Sequence, residues 1–147
     1  MIVAALALAG IFVALYLLLY KLGMIGALSC AVGSCETVNS SKWATFLGIP
    51  VAGWGVGFYI GTFVLAMVST REDFAESKSV SALLLAVATT GVLFSAWLTY
   101  LELFKIHAIC QWCVVSAIIV TIIFFVSLAD YREKSGTEEE SRTAAAD

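Results

Sequence analysis

The chain has 147 residues, 61% of them hydrophobic and only 13% charged, where soluble domains carry roughly a quarter. One small core cannot hide that much apolar side chain, so a soluble globular domain and a disordered chain are excluded. A formal net charge of −3, from 8 Lys and Arg against 11 Asp and Glu, leaves no basic footprint for nucleic acid. What remains is an integral membrane protein, one domain whose surroundings are the lipid bilayer.

Charge-poor apolar runs predict four membrane spans, over about 2–28, 49–68, 80–104 and 109–129. Each meets the ~20 residues a helix needs to cross the hydrocarbon layer, and helix is the required form because lipid cannot satisfy backbone amides. The expected fold is an all-α four-helix membrane bundle over residues 1–130. The first run lacks a positive flank and is too long for the apolar stretch of a cleaved signal peptide. Between spans one and two, residues 36–47 mix Ser40, Ser41, Lys42 and Trp43 with apolar residues and suit a short amphipathic helix on the membrane. Pro50 stands where a helix tolerates it, at the start of span two. Gly53, Gly57 and Gly61 then recur every four residues, a face on which helices can approach closely.

Residues 69–79 form a polar connection, and 131–147 a polar, acidic tail expected to be disordered. Lys21 and Lys105 sit at span ends, where their stems reach the interface. Glu102 is expected to be solvated or paired with Lys105, and His107 to be an interface residue. Arg71, Lys78, Arg132, Lys134 and Arg142 fall on one side of the membrane, against Lys21, Lys42 and Lys105 on the other. This bias predicts cytoplasmic termini in the plasma (inner) membrane.

All four cysteines then lie on the periplasmic or extracellular side, where disulfide chemistry persists. Cys30 and Cys35 occupy the first loop as CAVGSC, and Cys110 and Cys113 open span four as CQWC. Sulfurs at a helix N-terminus meet free amides and partial positive charge, which stabilise a thiolate. The C-x-x-C spacing sets Cys110 toward the aqueous entrance and Cys113 one turn deeper. The loop pair closes a short ring that adds modest stability, so a redox role suits it better than a static clip. The rival reading is structural, a zinc–thiolate site drawing on these sulfurs and His107. Trp54, Phe58, Tyr59, Trp97 and Tyr100 gather toward the same face, as an interfacial belt or as walls for a planar ring.

Taken together, these motifs resemble the vitamin K epoxide reductase family in its short prokaryotic form. The resemblance covers nearly the whole chain: four spans, the loop pair after the first, CETVNSSKW from Cys35 to Trp43, GIPV from Gly48, a glycine-rich second span reaching Tyr59, and C-x-x-C opening the fourth. DsbB-type quinone reductases share the four helices and two cysteine pairs, but carry C-x-x-C in their first outer loop. The family resemblance implies a bundle around a quinone (menaquinone, ubiquinone or a vitamin K-type ring), with Cys113 beside the ring and Trp54, Phe58 and Tyr59 about it. It implies a horizontal half-helix around residues 41–46 capping the non-cytoplasmic end. It further implies catalytic roles for Cys30, Cys35, Cys110, Cys113 and Ser41, and a separate thioredoxin-fold electron donor of the DsbA type, supporting disulfide formation in secreted proteins. Two positions depart from the vertebrate pattern: Val51 stands for a substrate-binding Asn and Ala117 for a Tyr, which favours a quinone over vitamin K epoxide.

Overall fold

A computed structural model describes residues 1–71 and 77–144, with side chains to 137. Four long helices form the bundle: α1 (Ile2–Lys21), α3 (Val51–Ser69), α4 (Lys78–Leu101) and α5 (Gln111–Ala144). All four are long and apolar enough to span a membrane. Helix α1 packs along α3 and α5, and α4 packs along α5, whereas α3 and α4 touch more slightly. The ring is therefore loosest between α3 and α4.

The first span stops earlier than expected, at Lys21 rather than residue 28. Gly23 adopts a left-handed φ of 75°, while its amide donates to Tyr20 O and that of Met24 to Leu19 O. This pair of reversed bonds is the Schellman closure, and it ends the helix although the sequence stays apolar. At the other end of the chain, α5 runs on to Ala144. Residues 131–144 are thus helical where disorder was expected, and 145–147 lie outside the described residues. The polar connection 69–79 is described at its two ends only.

The cap over the cysteine end also differs from the expected single half-helix. It consists of α2 (Cys35–Ser40), a 3-10 turn (Lys42–Ala44) and a hairpin of β1 (Thr45–Phe46) with β2 (Ile49–Pro50). Thr45 pairs with Pro50 and Phe46 with Ile49 around Leu47 and Gly48, both at positive φ, as two-residue hairpin turns require. Pro50 ends β2 and is also the N-cap of α3. The hairpin sets the Phe46 ring against Trp54 of α3 and against Phe94 and Trp97 of α4, bridging the loose side of the ring.

The bundle closes through small residues, and of the three expected glycines only Gly53 takes part, with Leu18 of α1 packed against it. Gly57 and Gly61 have nothing within 4 Å of where a side chain would begin. Helix α3 turns a different face inward, carrying Gly55, Tyr59, Thr62 and Ala66, the i, i+3, i+4 pattern of a helix stripe. The close approaches are at Gly10, where the Tyr59 ring lies, and at Gly91, which receives Phe58 and Val120. Tyr59 is 2% exposed, and its hydroxyl meets Ser116 O at 2.9 Å and Ser116 Oγ at 2.8 Å. At the far end of the bundle, Lys134 pairs with Asp130 at 3.1 Å and donates to Ser81 Oγ at 2.8 Å, tying α4 to α5.

Gly91→Ala places a methyl carbon 2.7 Å from Val120 Cγ2 and against the Phe58 ring. Overpacking of this kind costs about 1–3 kcal/mol. Thermal unfolding in detergent micelles is expected to show a lower Tm for Gly91→Ala, and an unchanged or slightly higher Tm for Gly57→Ala, where the added methyl meets nothing.

Candidate active site

The site is assembled where the loop after α1 lies across the start of α5. Gly33 and Cys110 form an antiparallel bridge, with the Ser34 amide donating to Ile109 O at 2.9 Å. The approach is so close that a side chain at Gly33, whose φ is 89°, would strike the Ile109 carbonyl. Gln111 Oε1 accepts from the Ala31 and Val32 amides at 3.1 and 3.2 Å. Trp112 Nε1 donates to Ser29 O at 2.9 Å, and the Ser29 amide donates to the Tyr16 hydroxyl at 2.9 Å. The two residues inside the C-x-x-C therefore hold the loop that carries the other cysteine pair.

Cys30 and Cys35 are joined by a disulfide, while Cys110 and Cys113 are free thiols. Cys35 opens α2 and is buried, whereas Cys30 is half-buried. Cys35 and Cys110 belong to one apolar cluster with Leu17, Leu28 and Val38. Asn39, one turn beyond Cys35, links the pairs: its Nδ2 donates to Cys35 O at 3.0 Å and faces Cys110 Sγ at 3.9 Å. Asn39 is held in turn by Lys21 Nζ, which donates to its carbonyl at 2.6 Å. Ser41 Oγ donates to Val38 O at 2.7 Å and closes the end of α2.

Cys110 caps α5, its carbonyl accepting from the Val114 amide at 3.1 Å. The expectation that it faces the aqueous entrance is overturned: Cys110 is 0% exposed, because the Gly33 strand roofs it. The Cys113 thiol, hydrogen-bonded to the Cys110 sulfur, holds the Cys110 thiol below its ordinary range. The Cys113 and Trp112 amides add to this, while burial and the Glu102 carboxyl oppose it.

Glu102 is a second correction. It is 5% exposed and neither solvated nor bridged to Lys105. A π-helical turn (Glu102–Ile106) followed by His107 at a left-handed φ of 55° folds the chain back, so that Glu102 Oε2 accepts from the Cys110 amide at 3.1 Å. Glu102 shares the cavity below with Cys113.

Beneath the cysteines lies a cavity of about 300 Å³. Cys113, Ser41 and Asn39 line its upper part; Trp54, Phe58 and Tyr59 line its α3 wall, and Glu102 also faces it. Val51, at the position where the vertebrate pattern has Asn, lines it too. The model of the vitamin K epoxide reductase family matches residues 1–128. The chain belongs to this family. It is accordingly a helical membrane protein whose family chemistry is thiol–disulfide oxidoreduction, and the vitamin K epoxide reductase family is quinone-linked in general. The cavity fits such a ring: its volume lies at the lower end of the range for small-molecule sites, and its walls are apolar and aromatic with a few convergent polar groups.

Asn39 and Gln111 were not singled out in the sequence, and Glu102 was read as a surface group. Asn39 had one faint signal, its place four residues after a cysteine on a short helix; Gln111 had its place within the C-x-x-C.

Two outcomes follow from this geometry. Gln111→Ala removes two hydrogen bonds worth about 1 kcal/mol each, so hydrogen exchange at the Ala31 and Val32 amides is expected to accelerate at least about tenfold. Lowering a thiol's pKa raises its thiolate fraction at any given pH. Ultraviolet thiolate absorbance of reduced Cys110 should therefore appear below the ~8.5 of a free cysteine, and Cys113→Ala should move that midpoint upward.

Proposed function

We propose that this protein relays electrons from a reduced thioredoxin-fold partner of the DsbA type, through Cys30/Cys35 and then Cys110/Cys113, to a quinone. The observation that carries this reading is the backbone bridge between Gly33 and Cys110. It sets a loop disulfide beside a free C-x-x-C pair, with an aromatic-walled cavity on the far side of Cys113. The cysteine end faces the periplasm or cell exterior and both termini the cytoplasm, in line with the Lys and Arg bias.

Cys30 is the more exposed sulfur of the loop pair and receives the partner's thiolate, releasing Cys35. Cys35, in one cluster with Cys110, attacks Cys110 Sγ of an oxidised Cys110–Cys113 pair and frees Cys113. The partner's second thiolate resolves its mixed disulfide with Cys30, so that the partner leaves as its own disulfide; the freed Cys30 then attacks Cys35, restoring the loop disulfide and releasing Cys110. The depressed Cys110 thiol is the better leaving group for that last step. A quinone bound in the cavity supplies the sink for two electrons and two protons. Trp54, Phe58 and Tyr59 hold its ring and exclude water, and Cys113 gives up electrons at the cavity wall as the Cys110–Cys113 bond re-forms. Ser41 orders the end of α2 and thereby the loop. The zinc alternative loses ground because the Cys30–Cys35 disulfide takes two of its four thiolates.

The test is quinol formation by the detergent-purified protein with a reduced thioredoxin-fold protein and a quinone. Alanine at any one of the four cysteines is expected to reduce partner-driven turnover to background. With a small dithiol as donor, Cys30→Ala and Cys35→Ala should retain quinol formation, while Cys110→Ala and Cys113→Ala should not. Wild-type turnover in all four variants would overturn the relay.

A further inference from the structure

Glu102 is a buried carboxyl that the relay leaves unused. Its neighbours are unusual for a structural acid. One oxygen is fixed by the Cys110 amide at 3.1 Å, the residue is 5% exposed, and it faces the same cavity as Cys113. Among the described residues no cation is ion-paired with it. The backbone is shaped to bring it there. A π-turn begins at Glu102, Glu102 O accepts the Ala108 amide at 3.2 Å, and left-handed His107 returns the chain to Cys110. Insertions of this kind in a helix frequently mark functional sites.

A dithiol that becomes a disulfide must lose two protons along with two electrons. Cys110 carries the depressed thiol and reaches the loop side. Cys113 lies one turn further on, half-buried, and shares a cavity wall with Glu102. We infer that Glu102 is the catalytic proton acceptor for Cys113 and passes that proton into the cavity. This inference rests on the proposed relay. As the Cys110–Cys113 bond forms, Glu102 takes the proton from Cys113 Sγ, and the two electrons leave to the quinone. Glu102 then releases its proton toward the reduced ring's oxygen, and the proton lost by Cys110 is the second of the pair. Sulfur, electrons and protons balance: two thiols and a quinone give one disulfide and one quinol. The Cys110 amide keeps the carboxyl aimed at Cys113 in both protonation states, since either form still offers that N–H an acceptor oxygen.

Glu102→Gln separates this role from a structural one. The amide can still accept from Cys110 N–H but cannot carry the proton. Reduced protein is mixed with excess short-chain quinone, and re-oxidation of the Cys110/Cys113 pair is followed by gel shift of alkylated thiols. Exchange from the loop pair to the C-x-x-C is measured separately without quinone. Re-oxidation is expected to slow by about 10²-fold or more in Glu102→Gln and to recover in part in Glu102→Asp, a far larger loss than in the exchange step. Re-oxidation at the wild-type rate in Glu102→Gln would overturn the inference. Quinol absent from the wild type would defeat the relay itself, and a second readout then decides Glu102 alone. Quinone-free wild-type protein is cycled in a dithiol/disulfide buffer, and its infrared redox difference spectrum is recorded with and without ¹³C-labelled glutamate. A label-shifted carboxyl band that appears and disappears with the thiol pair is expected. Its absence would overturn the assignment, whether or not the variants accumulate.

Discussion

The bridge between Gly33 and Cys110 is the constraint on which the site depends. Sulfur exchange needs two sulfurs from distant stretches of chain to lie together, and side chains alone would leave a long glycine-containing loop free to wander. Here backbone pairing does the placing, and the residues between the C-x-x-C sulfurs reinforce it. Gln111 takes two loop amides and Trp112 a loop carbonyl. The loop's backbone groups find protein partners there, which holds the loop on the helix that carries Cys110 and Cys113. The meeting of the two cysteine pairs is in that sense set by hydrogen bonding within the fold.

The cavity follows from a second constraint, the unequal packing of the ring of helices. Small residues let α1 and α3 close on each other, with the Tyr59 ring against Gly10 and its hydroxyl fixed on Ser116 of α5. On the opposite side, α3 and α4 stay apart and are bridged at the top by the hairpin through Phe46 and its three aromatic neighbours. An apolar space survives there, with the small residues Thr90 and Gly91 and the larger Phe94 and Leu98 of α4 on its wall. Trp54, whose indole donates to Phe46 O at 3.2 Å, belongs both to the wall and to the clasp.

How much of this could be read from residues divides along physical lines. Spans, their number and the shared face of the four cysteines follow from hydropathy and spacing, since lipid enforces helix wherever charge is missing. Trp54, Phe58, Tyr59, Ser41 and Cys113 were named on the strength of position and resemblance, and they meet at one cavity. The misreadings concern directions that hydropathy does not carry. In lipid both faces of a helix are apolar, so nothing in the sequence tells Gly57, facing out, from Gly55 or Gly91, facing in. The end of α1 is set by one left-handed glycine inside an apolar run. Glu102 looked like a surface acid because the π-turn that folds it inward has no simple sequence mark, and Asn39 looked like an ordinary loop residue because its partners lie on another helix.

The burial of Cys110 gives the arrangement a direction. In this structure the loop pair is oxidised and the C-x-x-C pair reduced, the state that follows transfer from loop to helix in the proposed relay. With the Gly33 strand over it, Cys110 cannot be reached by a large protein partner, while Cys30 remains half-exposed. In the proposed relay a partner thiolate therefore meets the loop first. The same roof separates the inner pair from water and leaves the cavity as its open side. In that relay access, more than any difference in intrinsic thiol reactivity, decides which sulfur exchanges with which: the outer pair with protein, the inner pair with the occupant of the aromatic cavity. A loop that both carries one disulfide and covers the other thiols achieves this without a separate lid.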